Sequence, residues 1–449
     1  MSRALLQAWE KTLRRCGEKR AVVQAADGQS VTFRELDARA AAWLGTHATD
    51  DKRLRRRAVV FAAANSIGWF ELFLGLLKAG AIVVPLDAAE PLEAQRRLAE
   101  SLHAGFWWDG AKLVALAGAR RLRNPVNCLI KLTSGSTGRP QSLVFTDGQL
   151  LADGRQVTAT MRIKPADLNY ALIPFGHSYG LGNLVIPLLA QGVPLVCGTA
   201  ALPHAIAEDF ARWKPTVFPS VPALWRALAA SEVVLGSLRL GISAGAPLPP
   251  EVARDFAARF GRLLHGFYGS SETGGIAYDR NGKATLAGGV GRAMLGVKIT
   301  GWTRERLLVS SAAVLTHGNN RRDGNLGAWI VPDRVALSAR GDVTLLGRRG
   351  KTVKIGGRRI NLGEVAQRIR RLPGVSDVWV GVKDGAEVVL GAAVVSDRPV
   401  VELRTALHAD TAAWKIPKKW AVLAEFPLTA RGKTDAAALR KIVFSQPGT

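Results

Sequence analysis

Residues 58–86, AVVFAAANSIGWFELFLGLLKAGAIVVPL, indicate the fold class of this chain. Two apolar runs, 58–64 and 81–86, are typical of buried strands, and residues 69–78 between them have a helical pattern. A strand, a helix and a second strand joined by short connections form a βαβ unit, whose two strands run parallel. The same order recurs at residues 193–197, 203–212 and 216–219. We therefore predict an α/β fold with mainly parallel sheets flanked by helices.

Composition limits the class of protein. At about 150 residues per domain, 449 residues suggest roughly three domain-sized units. Hydrophobic residues make up 48% and charged residues 22%, values that are typical of a soluble globular chain. Cys16, Cys128 and Cys197 are too far apart in sequence for a disulfide framework or a C-x-x-C metal site, so we expect the reducing cytoplasm. The most apolar stretch contains Glu71 and Lys78, so we expect no membrane span.

A second, smaller domain is predicted at the C-terminal end. Residues 347–351, GRRGK, interrupt the apolar pattern with glycines and charges. Beyond them, strand and helix patterns indicate an α+β domain of about 100 residues. These are strands at 352–355, 375–382 and 387–395 and helices at 362–371, 401–413 and after residue 435. We predict an N-terminal domain over 1–346, a boundary at 347–351 and a small domain over 352–449.

Net charge is the unusual feature of the composition. The chain carries 61 basic and 36 acidic residues, a formal net charge of +25. Residues 348–449 contribute 19 basic and 9 acidic residues, so the predicted small domain is richer in positive charge than the rest. An acidic partner or a polyphosphate ligand would suit this charge, and an arginine-rich genome would also explain it. No aromatic RNA-binding pattern, zinc-finger spacing or leucine zipper accompanies the basic residues, so nucleic acid is not favoured as a partner.

A serine- and glycine-rich loop is the first candidate site. Residues 131–141 read KLTSGSTGRPQ and continue an apolar strand at 128–132 that Lys131 interrupts. Hydroxyls and closely approaching backbone N–H groups suit phosphate oxygens, and glycine leaves room for that approach. A polar surface turn is the alternative. The loop residues are Thr133, Ser134, Gly135, Ser136, Thr137 and Gly138.

Three further segments contain candidate residues. In YGSSET, residues 268–273, the Glu272 carboxylate beside hydroxyls suits Mg²⁺, and the alternative is that Ser271 and Glu272 begin a helix. GISAGAPLP, residues 241–249, offers either a small-residue wall for a flat ring or an ordinary tight turn. PLTARGKTD near the C-terminal end contains Lys433, which taken alone indicates a solvated lysine.

In their order and spacing, these four segments resemble the adenylate-forming superfamily of acyl-CoA synthetases, 4-coumarate–CoA ligases, luciferases and adenylation domains. The resemblance covers nearly the whole chain. It implies that residues 347–351 are a hinge and that the small C-terminal domain, 352–449, is mobile and rotates between two reaction steps. Further matching segments are VTFREL at 31–36, Asn65-Ser66, PFGHSYG at 174–180, Gly347-Arg348, KIGG at 354–357, Glu364 and Gly432-Lys433.

The resemblance implies an ATP-dependent carboxylic acid–thiol ligase acting in two half-reactions. The carboxylate of an aryl or fatty acid attacks the α-phosphorus of ATP, which gives acyl-AMP and pyrophosphate. The thiol of CoA, or of the phosphopantetheine on an acyl carrier protein, then displaces AMP. ATP, Mg²⁺ and one of these two thiols are the implied cofactors. Carrier proteins are typically acidic, so the basic C-terminal segment mildly favours one as partner, but the phosphates of CoA would be attracted as well.

The resemblance also implies roles for residues on the nucleotide side. Residues 133–138 would hold the β- and γ-phosphates, Ser271 would reach the α-phosphate and Glu272 would hold Mg²⁺. Asp333 and Arg348 would bind the ribose hydroxyls. The remaining members of the predicted nucleotide site are Gly245, Ala246, Pro247, Tyr268 and Gly269, around the adenine.

On the acid side, the resemblance implies a catalytic lysine and an acyl pocket. Lys433 would bridge the acyl carboxylate and the α-phosphate and stabilise charge as it shifts. The face at 354–357 would replace it in the second half-reaction, and the hinge has Gly350 where Asp or Lys is usual. His177 would gate the pocket, with an ordinary core histidine as the alternative. The predicted pocket residues are His177, Tyr179, Phe218, Ser243, Gly266 and Phe267.

Departures from the family pattern affect the expected rate. Gln141 stands where the family usually has lysine, which removes a cation near the pyrophosphate end. Residues 331–333 read VPD in place of the usual TGD, and the segment before Asp333 is atypical. The alternative function is therefore a degenerate member that binds nucleotide or acyl-adenylate without efficient turnover, although Glu272 and Lys433 are retained.

Overall fold

A computed structural model describes most of the chain. The described residues are 4–48, 51–90, 92–122, 127–134, 140–303, 306–316, 321–323, 326–331, 333–348, 352–355, 358–383, 389–408, 411, 413–429 and 433–445. The helices within them are α1 (Ala4–Cys16), α2 (Phe33–His47), α3 (Ile67–Lys78), α4 (Leu92–Ser101), α5 (Asp147–Met161), α6 (Ser178–Gly180), α7 (Pro203–Trp213), α8 (Pro222–Ala229), α9 (Pro250–Phe260), α10 (Lys283–Leu286), α11 (Leu362–Arg370), α12 (Val400–His408) and α13 (Ala436–Ser445). None of the helices in these ranges has the length and apolar character needed to cross a lipid bilayer.

The strands of the described ranges form several sheets. They are β1 (Arg20–Gln24), β2 (Ser30–Thr32), β3 (Ala58–Ala62), β4 (Ile82–Leu86), β5 (Phe106–Trp108), β6 (Leu113–Ala115), β7 (Asn127–Ser134), β8 (Pro140–Thr146), β9 (Asn169–Ala171), β10 (Leu195–Cys197), β11 (Val217–Ser220), β12 (Leu240–Ser243), β13 (Leu264–Ser270), β14 (Gly274–Tyr278), β15 (Arg292–Ala293), β16 (Lys298–Thr303), β17 (Arg306–Ser311), β18 (Arg321–Asp323), β19 (Leu326–Ile330), β20 (Asp333–Leu337), β21 (Val343–Arg348), β22 (Thr352–Ile355), β23 (Arg358–Asn361), β24 (Val375–Lys383), β25 (Val389–Ser396) and β26 (Lys419–Leu423). Many are short, as is usual for strands buried between helices.

The βαβ unit predicted over residues 58–86 is present as β3, α3 and β4. The two strands are parallel, with Ala58 opposite Ile82. The helix begins at Ile67, two residues before the predicted start, because the Ser66 side chain accepts the N–H of Trp69 and caps the first turn. The pattern of residues 193–219 is likewise confirmed as β10, α7 and β11.

Two parallel-rich sheets build the larger part of the fold. The first has the order β15-β14-β13-β12-β11-β9-β10-β1-β2, and its strands from β13 to β1 are parallel neighbours. The second has the order β6-β5-β3-β4-β7-β8, with parallel pairing from β5 to β7. One core cluster takes side chains from both sheets and from helices α1, α2, α3 and α5. The predicted α/β class is therefore confirmed.

The chain divides into two compact units. The first lies within residues 1–302, 308–331 and 337–344, and the second within residues 303–307, 332–336 and 345–449. In the second unit, β24 pairs antiparallel with β25, which pairs parallel with β26, and α11, α12 and α13 pack on these strands. The domain boundaries drawn at the hinge stay a prediction, and residues 349–351 of that hinge lie outside the described residues.

Candidate active site

Three of the predicted segments meet at one edge of the first sheet. Strands β9, β11, β12 and β13 run parallel, so their carboxyl ends lie at the same edge. The PFGHSYG segment follows β9, the residues after Ser243 follow β12, and the YGSSET segment spans the end of β13. Open α/β sheets bind their ligands beyond the carboxyl ends of the strands, so this edge is the candidate site.

The PFGHSYG loop is held by hydrogen bonds to the Asn65 side chain and by a close backbone contact at Gly176. Asn65, which follows β3, donates from Nδ2 to the carbonyl of Ile173 at 2.9 Å and accepts the N–H of Phe175 at 2.9 Å. A Cβ added at Gly176 would lie 2.6 Å from the carbonyl oxygen of Leu86, so only glycine allows this close approach. The loop therefore joins the ends of β3 and β4 to the end of β9.

His177 faces a carboxylate within this loop. Its Nε2 lies 3.4 Å from Asp87 Oδ2, and Asp87 directly follows β4. About a third of the His177 side chain is exposed, 34%, so it is not the enclosed core histidine of the alternative. An imidazole held by a carboxylate beside an open edge can gate a pocket, and that role stays a prediction.

The YGSSET segment forms a β-hairpin turn. β13 ends at Ser270 and pairs antiparallel with β14, which begins at Gly274, so the alternative that Ser271 and Glu272 begin a helix is wrong. The backbone carbonyl of Glu272 accepts the N–H of Leu315 at 2.9 Å, which fixes the turn. The Glu272 carboxylate is half-buried, so it can still bind a ligand.

A side-chain hydrogen bond links the PFGHSYG loop to the YGSSET turn. Ser178 donates from Oγ to Ser271 Oγ at 3.0 Å. Ser271 is the residue predicted to reach the α-phosphate, and Ser178 lies between the predicted pocket residues His177 and Tyr179. The loop and the turn therefore lie in contact, as a reaction between an acid and the α-phosphorus requires.

The loop after β12 provides an open wall of small residues. Gly245 has a φ of +86°, a left-handed conformation that favours glycine. The N–H of Ala244 donates to the carbonyl of Ser220 at 3.1 Å, which ties the start of the loop to β11. Gly245, Ala246 and Pro247 are exposed, so a flat ring can approach them. Tyr268, by contrast, is buried, with 7% of its surface exposed, so it offers a ligand much less surface than these three residues do.

Aromatic rings and buried hydroxyls are found among and beside the predicted pocket residues. The ring of Tyr179 lies 5.7 Å from that of Phe267. The Tyr179 hydroxyl donates one bifurcated hydrogen bond, shared between the carbonyls of Ile242 at 3.3 Å and Ser220 at 3.5 Å. Ser243 is in register with Ser220 and with Gly266 on the neighbouring strands. The hydroxyls of Ser220 and Ser243 are buried and have no hydrogen-bond partner among the described residues.

Phe218 does not lie with these residues. Its ring is fully buried and packs against the rings of Tyr170, Phe210 and Trp225, 5.0, 5.9 and 5.0 Å away. This is the environment of a core side chain on the helix-covered face of the sheet. We correct its assignment and leave Phe218 out of the proposed pocket.

Several polar residues at this site were missed by the sequence reasoning. Asn183 lies one helical turn beyond Tyr179 and donates to the Tyr179 carbonyl at 3.3 Å, and its Oδ1 is buried with no partner among the described residues. Asp153 is buried, and its Oδ1 accepts the N–H of Gly275, two residues after the YGSSET segment; Lys131 is a buried lysine on β7. The interrupting lysine in an otherwise apolar strand was the visible signal, but the sequence does not show what it faces.

The phosphate loop is only partly described. Residues Gly135, Ser136, Thr137 and Gly138 lie outside the described residues. Thr133 and Ser134 end β7, and the antiparallel pairing places Thr133 opposite Gln141 on β8. The loop therefore leaves the carboxyl end of a strand in the second sheet, and its role in phosphate binding stays a prediction.

The remaining predicted residues belong to the second unit. Asp333 begins β20 and Arg348 ends β21. Lys433 is exposed in a turn in which the N–H of Thr429 donates to the Lys433 carbonyl at 2.7 Å and the N–H of Lys433 donates to Thr429 Oγ1 at 3.3 Å. Of the KIGG segment, Lys354 and Ile355 end β22, and Gly356 and Gly357 lie outside the described residues.

Comparison with known proteins decides the family. The model of the AMP-binding enzyme family matches residues 9–107 and 117–308, well over half of the chain. The chain belongs to this family. The AMP-binding match contains the phosphate loop, the PFGHSYG segment and the YGSSET turn, whereas Asp333, Arg348 and Lys433 lie beyond it. The predicted resemblance to adenylate-forming enzymes is confirmed.

Individual AMP-binding relatives match over most of this chain. A feruloyl-CoA synthase from Amycolatopsis sp is 26% identical over 470 residues, which cover 92% of this chain and 94% of the relative. A benzoate–CoA ligase from Thauera aromatica is 26% identical over 348 residues, covering 70% of this chain and 66% of the relative. The crystal structure of ATP-bound MatB from Rhodopseudomonas palustris superimposes with a TM-score of 0.81 at 22% identity, over 98% of this chain and 99% of that one, which shows the shared fold.

Proposed function

We propose that this chain is an ATP-dependent carboxylic acid–thiol ligase that forms acyl-AMP and then a thioester. The observation that carries the proposal is the 3.0 Å contact between Ser178 and Ser271, which joins the acid-side loop to the nucleotide-side turn at the carboxyl ends of the strands. The names of the matching relatives, a feruloyl-CoA synthase and a benzoate–CoA ligase, support the same reaction class.

In the first half-reaction, a carboxylate oxygen forms a bond to the α-phosphorus and the bond to pyrophosphate breaks. Such phosphoryl-group chemistry needs positioning and charge neutralisation rather than a protein nucleophile. We assign Ser271 to the α-phosphate and the wall of Gly245, Ala246 and Pro247 to the adenine. Lys433 would contribute its ammonium where negative charge shifts between the two oxygens.

Glu272 fits a Mg²⁺ ion bound together with phosphates. Mg²⁺ in nucleotide sites is held by one or two carboxylates plus phosphate oxygens and water, so a dedicated cage of protein ligands is not needed. The described residues contain no cluster of three His, Cys, Asp or Glu side chains, whereas Glu272 offers a half-buried carboxylate on a fixed turn. When bound, the ion would neutralise charge on the leaving pyrophosphate.

In the second half-reaction, the thiol sulfur forms a bond to the acyl carbon and AMP leaves. The thiol proton passes to solvent or to the departing phosphate. His177 stands beside Asp87 at the edge of the acid pocket and would open or close the path to the acyl carbon. We propose CoA as the first acceptor to test. The net charge of residues 348–449, 19 basic against 9 acidic residues, also suits an acidic carrier protein.

The acid is an aryl or a fatty acid, and aryl acids should be tested first. The Tyr179 and Phe267 rings form an aromatic wall, which suits stacking against a flat acid. The two relatives described above are named for feruloyl and benzoate substrates, and both names denote aryl acids.

The test is a pyrophosphate-release screen over aryl and fatty acids, followed by thioester detection with CoA and with a phosphopantetheinylated carrier protein. Acid-dependent pyrophosphate release together with a thioester product is the expected result. ATP binding without release for every acid would favour the alternative, a chain that binds nucleotide without efficient turnover. No ATP binding at all would refute the proposal.

A further inference from the structure

Two arginine-rich segments meet at the amino-terminal edge of the second sheet. Residues 52–57 read KRLRRR and lead into β3, and residues 120–123 read RRLR and follow β6. Arg57 pairs with Arg121 in an isolated antiparallel bridge. Two runs of positive charge that are far apart in the sequence are therefore adjacent in the fold.

Backbone contacts fix the two segments against each other. The N–H of Leu122 donates to the carbonyl of Arg56 at 3.0 Å, and Arg56 donates from Nε to the carbonyl of Leu122 at 3.0 Å. Leu54, 1% exposed, anchors the first segment in the core. A Cβ added at Gly105 would lie 2.7 Å from the Cβ of Arg57 and 2.8 Å from its Cδ, so the stem of this arginine packs on the Gly105 backbone.

Five arginines of these segments make no ion pair with a carboxylate of the described residues. We call them the arginine patch: Arg53, Arg55, Arg57, Arg120 and Arg121. Four of them are exposed, and Arg57 is half-buried. Positive charge therefore accumulates on this surface without acidic side chains to balance it.

The pair at the centre of the patch is unfavourable without a ligand. Like charges directly opposite each other on antiparallel strands destabilise the pairing, because their Cβ atoms are only about 5 Å apart. The Nε of Arg57 is also buried and has no hydrogen-bond partner among the described residues. A buried donor is costly unless a ligand or water accepts from it. An anion beside Arg57 and Arg121 would relieve both costs.

The patch and the candidate active site lie at opposite edges of the second sheet. Ala58 begins β3 directly after Arg57, so the patch is at the amino-terminal end of that strand. Strands β3, β4 and β7 run parallel, and Asn65, Asp87 and Ser134 lie at or beyond their carboxyl ends. The five residues of β3 span about 17 Å, so the patch is a separate site.

The chemistry of the patch selects phosphate. A planar guanidinium group donates two parallel hydrogen bonds to phosphate oxygens, and five such groups on two segments suit a ligand with more than one phosphate. Among the described residues, none of the exposed large hydrophobic side chains lies within 51–57 or 116–122. The surface thus lacks the apolar groups that would enter a lipid bilayer, which favours a soluble ligand.

We propose that the arginine patch binds a soluble ligand that carries two or more phosphate groups, with Arg57 and Arg121 donating to the same phosphate. The site takes no part in the two half-reactions, so the inference does not depend on the proposed function. It provides a ligand for a pair of like charges that otherwise only weakens the contact between two segments.

Tripolyphosphate is the probe, titrated by calorimetry at constant ionic strength. We expect Arg121→Gln to weaken binding at the patch about tenfold or more, because one charge-assisted contact contributes at least that factor. Arg262→Gln is the matched control, since Arg262 is an exposed arginine outside the patch. Tripolyphosphate can also enter the candidate active site, so the readout is the difference between the two variants. Equal dissociation constants in both would reduce the patch to diffuse charge attraction and overturn the inference.

The melting temperature without ligand separates binding from a structural role. Arg121→Gln should leave it unchanged or raise it, because the repulsion between Arg57 and Arg121 is removed. Arg121→Glu should raise it further, by pairing with Arg57, and should abolish tripolyphosphate binding at the patch. A lower melting temperature in both variants would show that Arg121 supports the fold, and it would overturn the inference.

A lipid headgroup is the other source of phosphate. Sedimentation with vesicles of phosphatidylcholine, with and without phosphatidic acid, tests it. No sedimentation of the wild-type chain, together with patch-dependent binding of tripolyphosphate, is the expected result. Sedimentation with phosphatidic acid that Arg121→Gln abolishes, without patch-dependent binding of tripolyphosphate, would overturn the inference of a soluble ligand.

Discussion

Adding one methyl group at Gly274 should weaken both the fold and the reaction. Gly274 has a φ of +69°, a conformation that costs a residue with a β-carbon about 1–2 kcal/mol. The added Cβ would also overlap Asp153 Oδ1 and displace it from the Gly275 N–H, now 3.0 Å away. Losing a hydrogen bond to a charged acceptor costs about 1.5–3 kcal/mol. We expect Gly274→Ala to lower the free energy of unfolding by about 2.5–5 kcal/mol.

Gly341→Ala is the matched control for this experiment. Gly341 has a φ of +81°, and no atom lies within 4 Å of an added Cβ, so only the backbone cost of about 1–2 kcal/mol applies. Urea unfolding measures both variants. ATP–pyrophosphate exchange should fall about 100-fold in Gly274→Ala, because a shift of about 1 Å in a positioning element has effects of that size. Equal destabilisation of the two variants, or full exchange activity in Gly274→Ala, would refute the reasoning.

Three further predictions concern single side chains. Lys433→Ala should abolish pyrophosphate exchange without changing the melting temperature, because Lys433 is exposed. The control is Lys383→Ala, since Lys383 is another exposed lysine of the second unit. Full exchange activity in Lys433→Ala would contradict the role of Lys433. Glu272→Gln should raise the Mg²⁺ concentration needed for half-maximal exchange, since an amide is a weaker ligand than a carboxylate. Glu251→Gln, at an exposed glutamate, is the control. If the two variants show the same Mg²⁺ dependence, the assignment of Glu272 to Mg²⁺ is contradicted. Burial lowers the pKa of His265 below its ordinary 6.5, so the unfolded chain takes up the proton first and stability should decline as the pH falls below about 6.5. His265→Phe should lessen that decline. If the melting temperature of this variant depends on pH as it does in the wild-type chain, His265 is not the group responsible.

Elements with strong local signals were predictable from the sequence. The strand predicted at 352–355 is β22, and the helix predicted at 362–371 ends one residue earlier, at Arg370. The helix predicted at 401–413 is present as α12 over Val400–His408, and residues 409, 410 and 412 of the prediction lie outside the described residues. Apolar spacing thus identifies an element, whereas its end depends on capping and on the neighbouring chain.

Local geometry around the candidate site was less predictable. The serine and glutamate of YGSSET suit either a helix N-terminus or a hairpin turn, and the pairing of β13 with β14 decides for the turn. Phe218 lies on a strand that is buried on both faces, so its sequence context does not show which face meets the pocket. The packing of its ring with Trp225 places it in the core.

The α/β class and the family were predictable without coordinates, because both depend on apolar spacing and on the order of motifs along the chain. Which polar groups meet across the fold follows from the folded chain alone. Asp153 on α5 accepts the N–H of Gly275 on β14, although the two residues are 122 positions apart in the sequence. Compensation of a buried charge depends on distance in space, and the pattern within each element does not contain that distance.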